Sequence, residues 1–209
     1  FQLHDYKDTG SWSYANYFSI VIQSGAFQID NNGNSATVGT ASVGVSHIVY
    51  TTDGVNSYLY INGGAKQSIG FNIASFSSFI NLSIGYRAKH SNPTPSQNMV
   101  GSVSYTRIWD GTALSASDVN ALYLQRNVSS HSSGPQIQPA LYTGIQRKIT
   151  AASLDPTYAW EFRNNTGTNT VYDLVNGILA ATPVGGATST SEGMVFNQAG
   201  VYVDITPFE

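Results

Sequence analysis

Short runs of alternating apolar and polar residues follow one another along the chain, separated by turn-forming dipeptides. Residues 18–23 read FSIVIQ, β-branched and aromatic, and Ser24-Gly25 turns them into AFQID at 26–30. Asn31-Asn32-Gly33-Asn34 then breaks the chain, because these residue types tolerate positive φ. HIVYTT at 47–52 is a strand, closed by a turn at Asp53-Gly54. In SYLYI at 57–61, Tyr58 and Tyr60 fall on one face and Leu59 and Ile61 on the other. Asn62-Gly63 follows, the strongest short hairpin signal. INLSIG at 80–85 alternates again, with Ile80, Leu82 and Ile84 inward, and residues 100–109 continue as one longer strand. Short strands at this spacing predict a sandwich or a barrel.

One helix interrupts the strands. Ser115 has the place of an N-cap, with Asp118 three residues on, and Leu114 and Val119 form the hydrophobic staple. Val119, Leu122 and Tyr123 then have helical spacing, and the helix should end near Gln125 after about two turns. Residues 126–154 are rich in Ser, Gln, Pro and Gly and lack a period. They read as a linker or an arm that wraps a neighbour, with a short strand at 141–149. After Asp155-Pro156 the strand signals resume. YAWEF at 158–162 sets Tyr158, Trp160 and Phe162 on one face and leaves Glu161 toward solvent. Residues 171–173 lead into a turn at Asn176-Gly177, a Gly/Ser/Thr loop spans 185–191, and 194–197 with 201–205 form a hairpin over Ala199-Gly200. Three parts follow: 1–125, 126–154 and 155–209.

Composition narrows the class. Of 209 residues, 41% are hydrophobic, enough for a core, and only 10% are charged, against about a quarter in average domains. The polar surface is therefore made of Ser, Thr, Asn, Gln and Gly, as suits secreted and particle-surface proteins. The net charge is −3 and there is no basic run, so no electrostatic footprint for nucleic acid exists. No apolar run approaches the roughly 20 residues that span a bilayer, so membrane insertion is not expected. Without cysteine, disulfides and thiolate metal sites are excluded. The chain begins at Phe1 without Met or a signal-peptide pattern, as a processed product or a fragment would.

The wording also resembles a known family. HIVYTTDGVNSYLYING, INLSIGYR and GSVSYTRIWDGTALSASDVNALY are similar to the carboxyl-terminal two thirds of a laminin-G-like domain of the concanavalin A-like lectin/glucanase superfamily. YAWEFRNNTG, VYDLVNG and GMVFNQAGVYVDI resemble the opening of the same domain. More loosely, the chain looks like the tandem repeats of surface proteins of algae and large algal viruses. The resemblance implies an all-β fold: a two-sheet antiparallel jelly-roll sandwich with one short helix. The order is reversed, with the family's closing strands first and its opening strands last. Either the chain is cut from a tandem array or it is permuted. In the first case both halves expose unpaired edges. The last strands then complete the same sandwich, or that of a neighbour in an assembly.

The superfamily includes glucanases, which place two carboxylates on one strand as Glu-x-Asp-x-x-Glu. The only Glu residues here are Glu161, Glu192 and Glu209, none with an Asp two residues on. A non-catalytic module is expected. His4, His47, His90 and His131 are scattered, and His47 should make a structural hydrogen bond at a strand end. Many relatives bind calcium, which the resemblance would assign to Asp173 and Asn176 in one loop and Asp110 in another, although Asp173 also fits an ordinary Asx turn. Sugar binding uses rings stacked on pyranose faces. The candidates are Trp12, Tyr14 and Tyr17 beside Asp5 and Asp8, and Tyr86 with Arg87 in a loop beside Lys89 and His90. Sequons at Asn81, Asn127 and Asn164 are candidate glycosylation sites. The expected function is a carbohydrate-binding or adhesion module, extracellular or on a cell or virion surface. The alternative is a building block of a fibre or particle that binds copies of itself by strand or arm exchange.

Overall fold

The computed structural model describes residues 1–4, 17–41, 44–72, 81–89, 92–125, 156–163, 170–175, 177 and 179–205. The strands of the first stretch are β1 (Gln2–His4), β2 (Tyr17–Gln23), β3 (Ala26–Asn31), β4 (Asn34–Thr40), β5 (Ile48–Thr52), β6 (Ser57–Ile61), β7 (Gln67–Ile69), β8 (Asn81–Ile84), β9 (Tyr86–Lys89), β10 (Asn92–Asn98), β11 (Gly101–Val103) and β12 (Tyr105–Ile108). The helix α1 (Ala116–Gln125) follows. The last stretch holds β13 (Tyr158–Glu161), β14 (Val171–Tyr172), β15 (Ala180–Val184), β16 (Thr188–Thr190), β17 (Gly193–Phe196) and β18 (Tyr202–Ile205). Residues 126–155, with the expected strand at 141–149, lie outside the described residues.

The result is an all-β antiparallel sandwich with one short helix. One sheet has eight strands in the order β14-β15-β18-β8-β1-β2-β3-β4. Three smaller groups, β5-β6-β7, β11-β17-β16 and β12-β13, supply the opposing side chains, and β9 pairs with β10. One core joins the two layers. Phe18, Ile29, Leu82, Val203 and Ile205 from the large sheet meet Leu59, Trp160, Met194 and Phe196 from the smaller groups. Each inward set repeats every second residue, as a pleated strand requires.

Three tight turns hold the hairpins. Ser24-Gly25, Asn32-Gly33 and Asn62-Gly63 all have positive φ at both positions, the type I′ geometry that matches strand twist. Gly63 is also required by packing. A Cβ there would lie 2.7 Å from the ring of Tyr123 on α1. The Asn31–Asn34 "break" is thus a two-residue turn into β4. That strand escapes sequence reading because NSATVGT buries one full side chain, Val38.

The helix forms as its signals predict. The Ser115 N–H donates to Asp118 Oδ2 at 2.9 Å, and the Asp118 N–H donates to Ser115 Oγ at 3.3 Å, a reciprocal capping box. Leu114, Val119 and Leu122 are buried with Val49 and Tyr60, on the far side of β5 and β6 from the main core. Tyr58 and Tyr60 therefore face the helix, while Leu59 and Ile61 face the main core.

The first and last described stretches of the chain pair with each other. β18 runs antiparallel to β8, with Val203 opposite Ile84 and Ile205 opposite Leu82. β17 pairs with β11, and β13 pairs with β12. These pairings revise three expectations. Residues 100–109 are two strands, because at Ser104 the chain passes from partner β17 to partner β13; the Ser104 carbonyl accepts the Phe162 N–H there at 2.8 Å. Residues 194–197 and 201–205 are no hairpin. β17 lies in one layer and β18 in the other, so Phe196 and Val203 enter the core from opposite sides. The turn between them packs so closely that a Cβ on Gly185 would collide with the carbonyl of Gly200. Residues 185–191 are no simple loop, since β16 pairs there with β17 and the Ser189 hydroxyl donates to the Phe162 carbonyl.

Replacing Ser115 with Ala removes one half of the capping box, and the expected loss is about 1 kcal/mol. Equilibrium denaturation of Ser115→Ala against the parent protein measures it.

Candidate functional site

Only parts of the expected ligand clusters fall among the described residues. Trp12 and Tyr14 lie outside the described residues. Tyr17 opens β2, where its N–H donates to Asn32 Oδ1 at 2.7 Å and its phenol oxygen accepts the Gly33 N–H at 3.0 Å. Its polar tip clamps the β3–β4 turn. Tyr86 and Arg87 are not in a loop: they begin β9, opposite Asn98 and Gln97 of β10. The apolar-to-polar change after Ile84 hides that strand in the sequence. Asn81 begins β8, which is paired on both sides, by β18 and β1. Asn127 and Asn164 lie outside the described residues.

The loop assigned to calcium is an Asx turn. Asp173 is buried, and its Oδ1 accepts the N–H groups of Ala159 at 2.8 Å and Val175 at 3.1 Å. The Asp173 carbonyl accepts the Gly177 N–H at 2.9 Å. This carboxylate ties β13 to the loop after β14. Asp110 is exposed, with its N–H donated to Thr157 Oγ1 at 2.8 Å, and Asn176 lies outside the described residues. Among the described residues no three His, Asp or Glu side chains come together as a metal donor set.

Glu161 is not at the solvent. It is 5% exposed and accepts from Arg163, Nε to Oε1 at 2.7 Å and Nη2 to Oε2 at 3.4 Å. A buried carboxylate needs such a partner. Alternation does point Glu161 away from the core of Trp160 and Phe162, but that outer face is itself covered. His47 lies nearby, its ring 6.2 Å from Tyr105 and 5.9 Å from Tyr123 of α1. Its backbone N–H donates to Asn62 Oδ1 at 2.8 Å and its carbonyl accepts the Asn62 N–H at 2.8 Å, so the main chain of the strand end, rather than the imidazole, ties it to the Asn62 turn.

Among the described residues, a concave feature lies on the helix side. A cleft of about 260 Å³ opens between the outer face of β5 and β6 and the start of α1, lined by Thr51, Asp53, Tyr58, Tyr60, Lys66 and Ser115 among others. Tyr58 is half-buried, and the Lys66 ammonium sits 4.5 Å from its ring centroid. Asp53 is exposed and accepts the N–H groups of Asn56 at 2.6 Å and Val55 at 2.8 Å. Those donors, Asn56 first, hold its carboxyl below the usual carboxylate range. The cleft thus offers the half-buried Tyr58 ring with the Lys66 ammonium held over it, hydroxyls, and the Asp53 carboxylate fixed by its turn. Sequence reading missed it because Tyr58 and Tyr60 share an ordinary strand face, and only the folded-back helix turns that face into a hollow.

If Asp173 serves as a structural acceptor, Asp173→Ala leaves two N–H groups without it and should destabilise by about 2–4 kcal/mol, while Asp173→Asn keeps an oxygen and should cost less than half as much. Thermal unfolding of both variants, with and without added calcium, tests this; equal losses would refute the role.

No protein-family model, curated protein or solved structure matches the chain, so the cleft stands on its own chemistry.

Proposed function

We infer that the chain is a non-catalytic module that binds glycans through the cleft beside α1. The observation that carries this is the half-buried Tyr58 ring set among Thr51, Thr52, Asp53 and Lys66 in one hollow. Sugar recognition calls for a rigid aromatic surface with a few fixed donors and acceptors around it. Thr52, Asp53 and Lys66 supply them. Low charge and a hydroxyl-rich composition support a surface exposed outside the cell or on a particle. The resemblance to laminin-G-like domains supports the same ligand class. Against hydrolysis stands the state of the buried carboxylates: Glu161 is taken by Arg163, Asp173 by two backbone N–H groups and Asp30 by Gln28 Nε2 at 3.0 Å.

A second reading is self-assembly, favoured by one feature. β4 is a seven-residue edge strand of the large sheet and carries no charged residue to discourage pairing. Light scattering separates this from a monomeric binder.

On the first reading, Tyr58→Ala should weaken binding on a neutral-glycan array by roughly tenfold, the value of one ring and its contacts, with the unfolding midpoint lowered because the ring packs against the helix cluster, whereas Lys66→Ala should weaken binding with the midpoint little changed. Retained affinity in Tyr58→Ala and in Lys66→Ala would remove the cleft from consideration.

A further inference from the structure

The geometry points to a carboxylate-binding site on the outer face of β12 and β13, centred on the Arg107 guanidinium and separate from the cleft. Tyr105 and Arg107 alternate on β12. The register sets Glu161 opposite Tyr105 and Ala159 opposite Arg107. Trp160 and Tyr158, at the alternate positions, belong to the main core. Tyr105, Arg107, Ala159 and Glu161 therefore share the other face.

Two guanidinium groups approach one ring. Arg107 Cζ is 4.5 Å from the Tyr105 centroid and Arg163 Cζ is 6.0 Å from it. The acid between them is already spent: both Glu161 oxygens accept from Arg163. The cross-strand neighbour of Arg107 is the methyl group of buried Ala159, which offers it no acceptor. Arg163 takes the hydrogen bonds of Glu161 and also feels the charge of Glu192, so of the two guanidinium groups Arg107 is the one that makes no ion pair among the described residues. That side chain is half-buried, and burial pushes its pKa down, against the opposing fields of Tyr105 and Glu161, with the smaller field of Arg163 adding to the lowering. A bound anion would offset the lowering.

The form of the ligand follows from the form of the group. A planar guanidinium fork matches a carboxylate through two parallel hydrogen bonds. Stacking on Tyr105 holds the fork in place beforehand, which lowers the ordering cost of binding. The shared chemistry is a carboxylate, either a free small acid or the uronate of an acidic sugar.

The test is an NMR titration of the full chain, following the arginine Nε–Hε and Tyr105 ring signals, with sodium acetate, sodium glucuronate, glucose and sodium chloride. The Arg107 signal should move saturably with both carboxylates and not with glucose or chloride. Tighter binding of glucuronate assigns the site to acidic sugars, and equal binding assigns it to small carboxylates. Arg107→Gln should abolish the saturable shift at Tyr105. Glu161→Gln removes the competing anion and releases Arg163, so it should strengthen acetate binding by roughly tenfold, the worth of one added charge-assisted pair. Glu161→Gln keeps the fold testable if Arg107→Gln does not fold. A linear drift with every salt, or unchanged affinity in a folded Glu161→Gln, would overturn the site.

Discussion

The backbone pairing of β18 with β8 is the interaction on which the rest depends. It joins residues 202–205 to residues 81–84 in the middle of the eight-stranded sheet. Remove β18 and β8 loses the partner on one side, leaving a row of N–H and C=O groups in an apolar setting, where each unpaired group costs on the order of a hydrogen bond. The same dependence recurs in the other layer, where β11 and β12 find their partners in β17 and β13. Neither stretch has a closed sheet alone. Their side chains agree: Trp160, Met194 and Phe196 of the last stretch and Phe18, Leu59 and Leu82 of the first are all nearly inaccessible in one core.

The two proposed sites are consequences of that closure. α1 buries Val119 and Leu122 against β5 and β6, and the space left at its amino end is the cleft. The Arg107 face exists only because β13 brings Ala159, Glu161 and Arg163 alongside β12 across more than fifty positions of sequence. Neutral and acidic ligands would thus meet different faces of the smaller strand groups, one built on a tyrosine and hydroxyls, the other on a stacked guanidinium.

Much of the fold was legible beforehand, wherever a local signal carried it. Positive-φ dipeptides marked three turns, the Ser115/Asp118 box marked the helix start, and alternation at 57–61 and 158–162 separated the faces. What escaped was non-local. A run such as 100–109 keeps one pattern while its partner changes, and 194–205 has the look of a hairpin although its halves feed opposite layers. Glu161 shows the same limit: alternation gives the face correctly, but its burial depends on chain remote in sequence. The sites were the least legible. Of the aromatic candidates, Tyr17 turned out to clamp a turn, while Tyr58, Lys66 and Arg107 are unremarkable in the sequence and gain meaning from their neighbours.

The most direct measurement of the central claim is to cut the full chain once, at a protease site placed within residues 126–154, and weigh the product under native conditions. Mutual completion predicts that residues upstream and downstream of the cut stay together as one particle with an unchanged near-ultraviolet signature from Trp160, and separate only in denaturant. Two independently folded fragments, coming apart on cleavage, would contradict it.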